Sequence, residues 1–374
     1  MSIFLLLLGA VLVQLAAEIF YQKNWKKNLN VTVEFQGQPV YAGEKAVLTE
    51  TVENRKWLLL PMVQAAFRVS RNLSFGDEEN TSISDFTYKR DIFSVMSYQK
   101  IRREITFTAQ KRGYYQIDRT DILTRGLLLN REYYLTKPCS TYLYVYPKML
   151  PASGIEVPFQ KIMGQVLTKQ RIYEDPFTFR GIREYESGDP MNKINWKASA
   201  KTGDMMVNLQ DSTSSAQVIL LLDVEDETIW KYEELHEAGI SLAISLAAQL
   251  LAKGISVGLL SNGKDHLTED EILIRPGTGK GQMYKLYQNL ARLDLEYPAV
   301  KYSELLTGQK KWLEESGSVL VLISRNQGRD LYEASEKMAA KGMGFLWISV
   351  LHPDMEWKVP SSGKIDRLRW EVER

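Results

Sequence analysis

The period of the apolar residues changes in the middle of the chain, and this change restricts the possible folds more than any other feature. Up to Pro147, apolar and polar residues alternate in segments such as VTVEF, EITFTA and TYLYVYP, with Gly, Asn, Asp or Pro between them. Such alternation is typical of antiparallel strands that bury one face, so we predict an immunoglobulin-like β-sandwich over residues 28–148. The run WLLLPMVQAAF contains Pro61 and is too short to cross a bilayer, which predicts a strand with an edge position or a bulge.

From Gln217 onward, continuous apolar segments alternate with helical ones. The segments VILLLDV, SVGLLS, SVLVLIS and FLWISVL are predicted to be strands, with helices between them. This pattern predicts an α/β domain over residues 216–374, with a Rossmann-like, mostly parallel sheet that carries helices on both faces. Because such sheets bind ligands at the carboxyl ends of their strands, Asp223, which follows the first strand, is expected at a binding crevice.

The N-terminal segment MSIFLLLLGAVLVQLAA carries no charged side chain, and the first acid is Glu18. Continued to Tyr21, the segment reaches roughly the 20 residues that a membrane-spanning helix needs. The positions before Ala16 and Ala17 lack the small residues of a signal-peptide cleavage site. We therefore predict an uncleaved, single-pass transmembrane anchor over residues 1–22, which places the protein in the cell membrane.

Two features predict the orientation of this anchor. Lys23, Lys26 and Lys27 follow it directly, and lysines beside a spanning helix tend to remain on the cytoplasmic side. The single cysteine, Cys139, excludes an internal disulfide and fits a reducing compartment. Both features predict that the large domains lie in the cytoplasm.

The composition argues against several classes of function. Lys and Arg total 47 against 46 Asp and Glu, so no net field would attract nucleic acid. One cysteine and three histidines leave too few ligands for a Cys-rich zinc cluster or a His-based metal centre. The segment PGTGKG lacks the glycine and the final Ser or Thr of a phosphate-binding loop, and there is no Gly-x-Ser-x-Gly elbow. We predict a non-enzymatic protein without a cofactor or a nucleic-acid partner.

The segment REYESGDPMNKINWKASAKTG, Arg183–Gly203, is the most distinctive part of the sequence. Asp189 is a favourable helix N-cap, Pro190 fits the first turn and Gly203 suits a left-handed C-terminal residue. These signals predict a helix from Pro190 to Lys201. It would belong to a linker region, residues 149–215, that packs on the α/β domain.

The predicted helix has two kinds of surface. Lys193, Lys197 and Lys201 would line one face at intervals of four residues, and Trp196 would be buried against the sheet. The acids and Arg183 can form a network that only stabilises packing, and the lysines can form a solvated face or a docking surface. The candidate partner-binding residues are Arg183, Glu184, Tyr185, Asp189, Lys193, Trp196, Lys197 and Lys201.

A second candidate site is the acidic segment DVEDE, Asp223–Glu227. Clustered carboxylates suit a hard cation such as Mg²⁺, and the von Willebrand factor A fold holds a metal at this place with Asp-x-Ser-x-Ser. Here Glu225 and Glu227 replace the serines, Thr278 would supply the threonine of a later loop, and Arg325 stands where a further acid is expected. The candidate metal ligands are Asp223, Glu225 and Thr278; the alternative is a solvated acidic helix start.

The segment FRGIREYESGDPMNKINWKASAKTGDMMVNLQD resembles the signature of the bacterial family called domain of unknown function 58. In that family Arg-Glu-Tyr, Gly-Asp, Ile-Asn-Trp and Ala-Ser-Ala recur in this order. The resemblance extends to a membrane segment, a β-sandwich and a von Willebrand A-like α/β domain, although many relatives have two membrane segments where this chain has one.

Members of this family are commonly encoded beside MoxR-type AAA+ ATPases. The resemblance therefore implies a membrane-anchored scaffold or adaptor that works with such an ATPase as its protein partner. The alternative is an adhesion-type module that binds its ligand through a degenerate divalent-metal site.

Overall fold

The computed structural model describes residues 2–37, 39–76, 81–83, 86–126, 131–172, 174–187, 189–212, 217–226, 230–297, 299–308 and 318–373. The chain divides into two compact units, Met1–Lys148 and Met149–Arg374.

In the first unit, the described residues form helix α1 and strands β1 to β10. The bounds are α1 Ser2–Asn24, β1 Leu29–Phe35, β2 Val40–Tyr41, β3 Lys45–Asn54, β4 Leu60–Ser70, β5 Leu73–Phe75, β6 Thr81–Ile83, β7 Phe86–Val95, β8 Lys100–Ala109, β9 Gly113–Arg125 and β10 Glu132–Tyr146. One sheet has the order β1-β3-β8-β5 and the other β2-β10-β9-β4-β7-β6.

The two sheets enclose a common apolar core, which confirms the predicted β-sandwich. Val33 and Leu48 of the first sheet lie in the same buried cluster as Phe67 and Ile117 of the second. The cause is the alternation seen in the sequence, because every second side chain of a strand points to the same face. Pro61 lies in β4 where the pairing with β7 shifts register, so this strand carries the predicted bulge.

Helix α1 joins the sandwich through its last turns. Tyr21 and Trp25 are buried among core residues of the sandwich, and the Tyr21 hydroxyl hydrogen-bonds to Thr124 Oγ1 at 3.2 Å. The side chains described between Phe4 and Leu15 are exposed. The helix therefore covers the segment predicted to be an anchor, and its place in a membrane remains a prediction.

In the second unit, the described residues form six helices, a 3₁₀ turn and strands β11 to β19. The helices are α2 Ala152–Ile172, α3 Trp196–Thr202, α4 Glu233–Ala252, α5 Gly279–Arg292, α6 Tyr302–Thr307 and α7 Arg329–Ala339, and the 3₁₀ turn is Met191–Lys193. The strands are β11 Glu174–Glu184, β12 Met206–Ser212, β13 Gln217–Leu222, β14 Ser256–Asp265, β15 Glu271–Gly277, β16 Leu293–Asp294, β17 Ser318–Ser324, β18 Gly344–Leu351 and β19 Asp366–Glu371.

The main sheet of this unit has the order β15-β14-β13-β17-β18-β19, and β16 pairs with β14. Neighbours from β14 to β19 are parallel, whereas β15 is antiparallel to β14. Both faces are covered: Leu220 of β13 packs in the cluster that contains α2, α4 and α5 residues, and Leu221 packs in the cluster with α6 and α7. The buried strands thus show the continuous apolar runs from which they were predicted.

Among the described residues of the second unit, helix α4 has the length and apolar composition to cross a bilayer, and 61% of its apolar window is buried within the unit. It lies against β13, β14 and β18.

Candidate functional site

The distinctive segment of the sequence forms a hairpin with a long connection. Strands β11 and β12 pair antiparallel, with Arg183 opposite Val207, and the connection contains the 3₁₀ turn and α3. Ile194 forms a bridge with Val207, and both side chains are buried. We call residues 181–212 the signature hairpin; this pair forms a small apolar centre inside it.

Asp189 is held by Arg183 and does not cap a helix, contrary to the sequence prediction. Arg183 donates two hydrogen bonds of 2.7 Å to the two carboxylate oxygens of Asp189, which also accepts from the backbone N–H of Glu186 at 2.9 Å. Two hydrogen bonds lower the pKa of Asp189: the larger effect comes from the Arg183 side chain and the smaller from the backbone N–H of Glu186. A bidentate pair of this kind fixes the turn between the two residues.

Glu184 and Tyr185, the candidates next to Arg183, take part in the hydrogen bonds of the hairpin mainly through their backbones. The carbonyl of Glu184 accepts a further hydrogen bond of 2.9 Å from Arg183, and the N–H of Tyr185 donates to the carbonyl of Met205 at 2.8 Å. The Glu184 side chain is exposed. The predicted charged network therefore contains Arg183 and Asp189, with Glu184 present through its carbonyl.

The helix begins at Trp196, whereas the sequence predicts a start at Pro190. Its N-cap is Asn195, whose Oδ1 accepts from the N–H of Ala198 at 2.9 Å and whose Nδ2 donates to Asn208 at 2.7 Å. The backbone before the cap is extended, with ψ at 126° for Ile194, because this conformation directs the Ile194 side chain to Val207. A single helix from Pro190 to Lys201 is therefore wrong.

The end of the helix agrees with the prediction. Gly203 has a φ of 86°, the left-handed conformation expected of a helix-closing glycine, and its N–H donates to the carbonyl of Ser199. The hydroxyl of Ser199 accepts from the N–H of Met206 at 2.8 Å and donates to the carbonyl of Asn195 at 2.9 Å. These bonds tie α3 to the start of β12.

Trp196 is exposed, with 68% of its surface accessible, so the prediction of a buried indole is wrong. The buried apolar position of this region is occupied by Ile194, and the first turn of α3 directs Trp196 outward. Met191, Met205 and Ile182 are further exposed apolar side chains of the signature hairpin. A large exposed aromatic side chain on a hydrogen-bonded element is typical of a binding surface.

The predicted stripe of three lysines is reduced to a pair. Lys197 and Lys201 both lie on α3, one turn apart, and both are exposed. Lys193 belongs to the preceding 3₁₀ turn and is partly buried. The spacing on which the stripe depends is broken by two non-helical residues, Ile194 and Asn195, between the 3₁₀ turn and α3.

The carboxyl edge of the main sheet brings Asp223 together with the ends of two neighbouring strands. Its Oδ1 accepts from Asn262 Nδ2 and from the N–H of Glu225, both at 2.9 Å, and its Oδ2 accepts from the Ser324 hydroxyl at 2.7 Å. Burial raises the pKa of Asp223 to about 7. The carboxylate is thus satisfied by three N–H or O–H donors.

The surrounding charges pair with one another. Asp226 lies 3.0 Å from His236 Nε2 and 3.1 Å from Arg325 Nε, and the guanidinium of Arg325 stacks over the ring of Tyr232 at 4.3 Å. The Glu225 carboxylate accepts from the backbone N–H of Tyr302 at 3.0 Å. The two ion pairs occupy Asp226, which flanks the predicted metal site, and the hydrogen bond from Tyr302 occupies Glu225, one of its candidate ligands.

Thr278 does not join this edge of the sheet. It follows Gly277, which pairs with Val257, and Val257 pairs with Val218 at the start of β13. Asp223 comes after the other end of β13, so the two residues lie at opposite edges. Among the described residues, no group of three or more His, Cys, Asp or Glu side chains is placed to hold a metal ion, and Glu227 lies outside that part of the chain.

The sequence interpretation missed Asn195, Ser199 and Asn262. Asn195 had a detectable signal, because asparagine is among the best N-caps and stands directly before the helical segment. Asn262 had no such signal, since its bond to Asp223 joins β14 to the residue that follows β13.

The fold and this site define a class of protein: a β-sandwich unit and an α/β unit whose distinctive segment is an ordered hairpin with an exposed tryptophan. The chain belongs to the family described as Protein of unknown function DUF58, whose model matches residues 181–369, about half of the sequence. No curated protein matches the chain.

Several solved structures share local similarity with the chain. Domains D2 and D3 of the pilin SpaD from Corynebacterium diphtheriae show 9% identity over 31% of this chain and 52% of that one, with a TM-score of 0.23. The chain thus spans about half of the pilin fragment. The CARDB domain of the Pyrococcus furiosus protein PF1109 shows 16% identity over 31% of this chain and 90% of that one, with a TM-score of 0.19. A cohesin from Archaeoglobus fulgidus shows 9% identity over 31% and 91%, with a TM-score of 0.22.

Proposed function

We propose that this protein is a membrane-anchored, non-enzymatic scaffold that docks a protein partner on its signature hairpin. The observation that carries the proposal is the exposure of Trp196 on a short helix that hydrogen bonds hold in place at both ends. Tryptophan is enriched among residues that dominate binding energy, and a preformed helix loses little entropy on binding. The partner surface that fits is an apolar pocket for the indole.

The charge beside Trp196 specifies this partner further. Lys197 and Lys201 are exposed on the same helix, so an acidic rim around the pocket would complement them. A MoxR-type AAA+ ATPase is the partner that we propose, because members of this family are commonly encoded beside such ATPases.

The remaining parts of the proposal concern the two units. We propose that α1 spans the cell membrane, because its described side chains up to Leu15 are apolar or uncharged and exposed, and that Lys23, Lys26 and Lys27 keep both units in the cytoplasm. We propose that the α/β unit is von Willebrand A-like, because parallel strands place a buried aspartate at the carboxyl edge of the sheet.

The proposal is tested by binding of the full-length protein, in detergent or nanodiscs, to the purified ATPase. Trp196→Ala should weaken binding at least tenfold, which corresponds to roughly 1.4 kcal/mol. Trp230→Ala is the matched control, since Trp230 is also exposed in the second unit but lies outside the signature hairpin. Equal affinities of the two variants would contradict the proposal.

The buried carboxylate of Asp223 favours one alternative, an adhesion-type module that holds Mg²⁺ at the carboxyl edge of the sheet. In that case Asp223 and Glu225 would be ligands, and the metal would have to displace the Asn262 and Ser324 donors. Titration of the protein with Mg²⁺, Mn²⁺ and Ca²⁺ in a calorimeter distinguishes the two functions. Heat of binding that Asp223→Asn abolishes would favour the module.

A further inference from the structure

Two loops of the sandwich form an apolar surface beside the end of α1. The ring of Phe20 in α1 packs against the indole of Trp57, with centroids 5.7 Å apart. Leu59, Met96 and Tyr98 are further exposed apolar side chains of these loops. We call Trp57, Leu59, Met96 and Tyr98 the collar; the exposed fractions of its two aromatic residues are 63% and 72%.

The collar is held together by hydrogen bonds between the two loops. The buried side chain of Asn54 donates to the carbonyls of Leu58 and Met96, each at 2.9 Å. The N–H of Tyr98 donates to the carbonyl of Lys56 at 3.1 Å, and the Ser97 hydroxyl donates to the carbonyl of Trp57. The backbone that carries the exposed side chains is therefore held in place.

The backbone conformation of Tyr98 is unusual for an exposed aromatic residue. Its φ is 56°, in the left-handed region that a bulky residue rarely adopts. Glycine would occupy this turn position with less strain. In this conformation 72% of the surface of Tyr98 is exposed. If the loop were surrounded only by water, the exposed ring would make no contact that offsets the backbone strain.

The length of α1 indicates which of its residues would reach the boundary of a membrane. From Ser2 to Phe20 the helix extends about 28 Å at 1.5 Å per residue, close to the roughly 30 Å hydrocarbon core of a bilayer. If α1 spans the membrane, Phe20 must lie at its boundary, and Trp57 lies there with it. Trp and Tyr are the residues that prefer this boundary.

The charges near the end of α1 fit the same position. Glu18, the acid closest to the hydrocarbon, forms an ion pair with Arg131 at 3.2 Å, which reduces the cost of bringing its charge to the boundary. Lys23 is exposed about one turn beyond Phe20, and Lys26 and Lys27 are exposed in the turn that follows the end of α1, positions that suit contact with lipid phosphates.

We propose that the collar lies in the lipid headgroup region, so that the sandwich sits directly on the membrane and is not tethered above it. The proposal rests on the membrane anchoring proposed above for α1. Its consequence is that α1 and the sandwich form one rigid element at the membrane surface, because Tyr21 and Trp25 are buried in the sandwich core.

The test uses full-length protein in liposomes that contain lipids with a nitroxide quencher near the headgroup. In a Cys139→Ser background, an environment-sensitive fluorophore is attached to a single cysteine introduced as Trp57→Cys or Tyr98→Cys. Tyr142→Cys is the matched control: Tyr142 is exposed on β10, ten residues from the strand end near α1. Leu12→Cys, which the proposal places near the middle of the bilayer, reports on the anchor itself in a second set of liposomes whose lipids carry the nitroxide on the acyl chain.

Quenching at 57 and 98 several times stronger than at 142, with a blue-shifted emission, is the expected result. Quenching at 12 without excess quenching at 57 and 98 would overturn the collar and leave the anchor intact. Absence of quenching at 12 would overturn the anchoring and the collar together. Unchanged thermal unfolding of each labelled variant verifies that the substitutions leave the fold in place.

Discussion

Arg183 and Asp189 are joined by two hydrogen bonds of 2.7 Å across the turn that leads from β11 to the 3₁₀ turn. The same carboxylate also accepts from the N–H of Glu186, so one aspartate holds both a strand side chain and the loop backbone. This pair fixes the start of the connection that presents Trp196.

Replacement of Asp189 by alanine should loosen this turn locally. The N–H of Glu186 would lose its acceptor, so its hydrogen exchange should become markedly faster, while amides of the main sheet keep their protection. Hydrogen exchange read by mass spectrometry or NMR measures both. Because bonding lowers the pKa of Asp189, the same loosening should occur in the wild type as pH falls through that lowered value. Unchanged exchange at Glu186 would contradict the role of the pair.

Trp196→Ala should change the stability of the protein little, whereas Ile194→Ala should lower it clearly. Trp196 is exposed, so its removal should change the free energy of unfolding by about 0.5 kcal/mol or less. Ile194 is buried against Val207, so its truncation should destabilise the signature hairpin by about 2 kcal/mol or more. Urea unfolding with a fluorophore in the hairpin compares them. A larger loss for Trp196→Ala would restore the buried indole predicted from the sequence.

Reversal of the charge of Lys197 and Lys201 should slow association with an acidic partner and reverse the dependence of the rate on salt, because salt then screens a repulsion where it had screened an attraction. The control is the double reversal of Lys280 and Lys285, two exposed lysines on α5 of the same unit. Stopped-flow association rates at several salt concentrations provide the measurement. Similar rates for both double variants would show that the α3 lysines form an ordinary solvated face.

The first unit should become less stable as pH rises from about 5 to 8. Burial, and secondarily the Asp91 carboxylate, raises the pKa of Glu50 from 4.5 to about 8. In that window the folded state holds a proton that the unfolded chain has released, so the free energy of unfolding falls with rising pH. Asp91 itself is paired with Arg103 at 2.8 Å and Lys89 at 3.6 Å.

Glu50→Gln should remove most of this slope. The variant should be more stable than the wild type at pH 9 by on the order of 5 kcal/mol, since the pKa rises by about 3.5 units and each unit corresponds to about 1.4 kcal/mol. Urea unfolding of the first unit at pH 5, 7 and 9 gives the comparison. The same slope in both proteins would show that another group titrates.

Addition of millimolar Mg²⁺ should leave the thermal midpoint of the second unit unchanged. Three donors already occupy the Asp223 carboxylate, and the guanidinium of Arg325 lies beside the neighbouring acid Asp226. A ligand that binds only the folded state would raise the midpoint. A Mg²⁺-dependent rise that Asp223→Asn removes would favour the metal-dependent module.

The sheets could be predicted from the sequence, whereas the arrangement of the candidate site could not, and the reason is physical. Strand periodicity reflects burial of neighbouring residues, so the sandwich and the apolar strands of the α/β unit were predictable. The exposure of Trp196 depends on two non-helical residues before it, the extended Ile194 and the N-cap Asn195, which a helical interpretation of the spacing does not include. The position of Thr278 depends on the antiparallel direction of β15, which no local pattern records.

We propose that Trp196 contacts a MoxR-type AAA+ ATPase. The most direct measurement replaces Trp196 with a photo-crosslinking amino acid in full-length protein and identifies the products formed in native membranes by mass spectrometry. The same replacement at Trp230 is the control. We expect a crosslink to the ATPase from position 196 and none from position 230; no crosslink to an ATPase from 196, or the same products from both positions, would contradict the proposed docking.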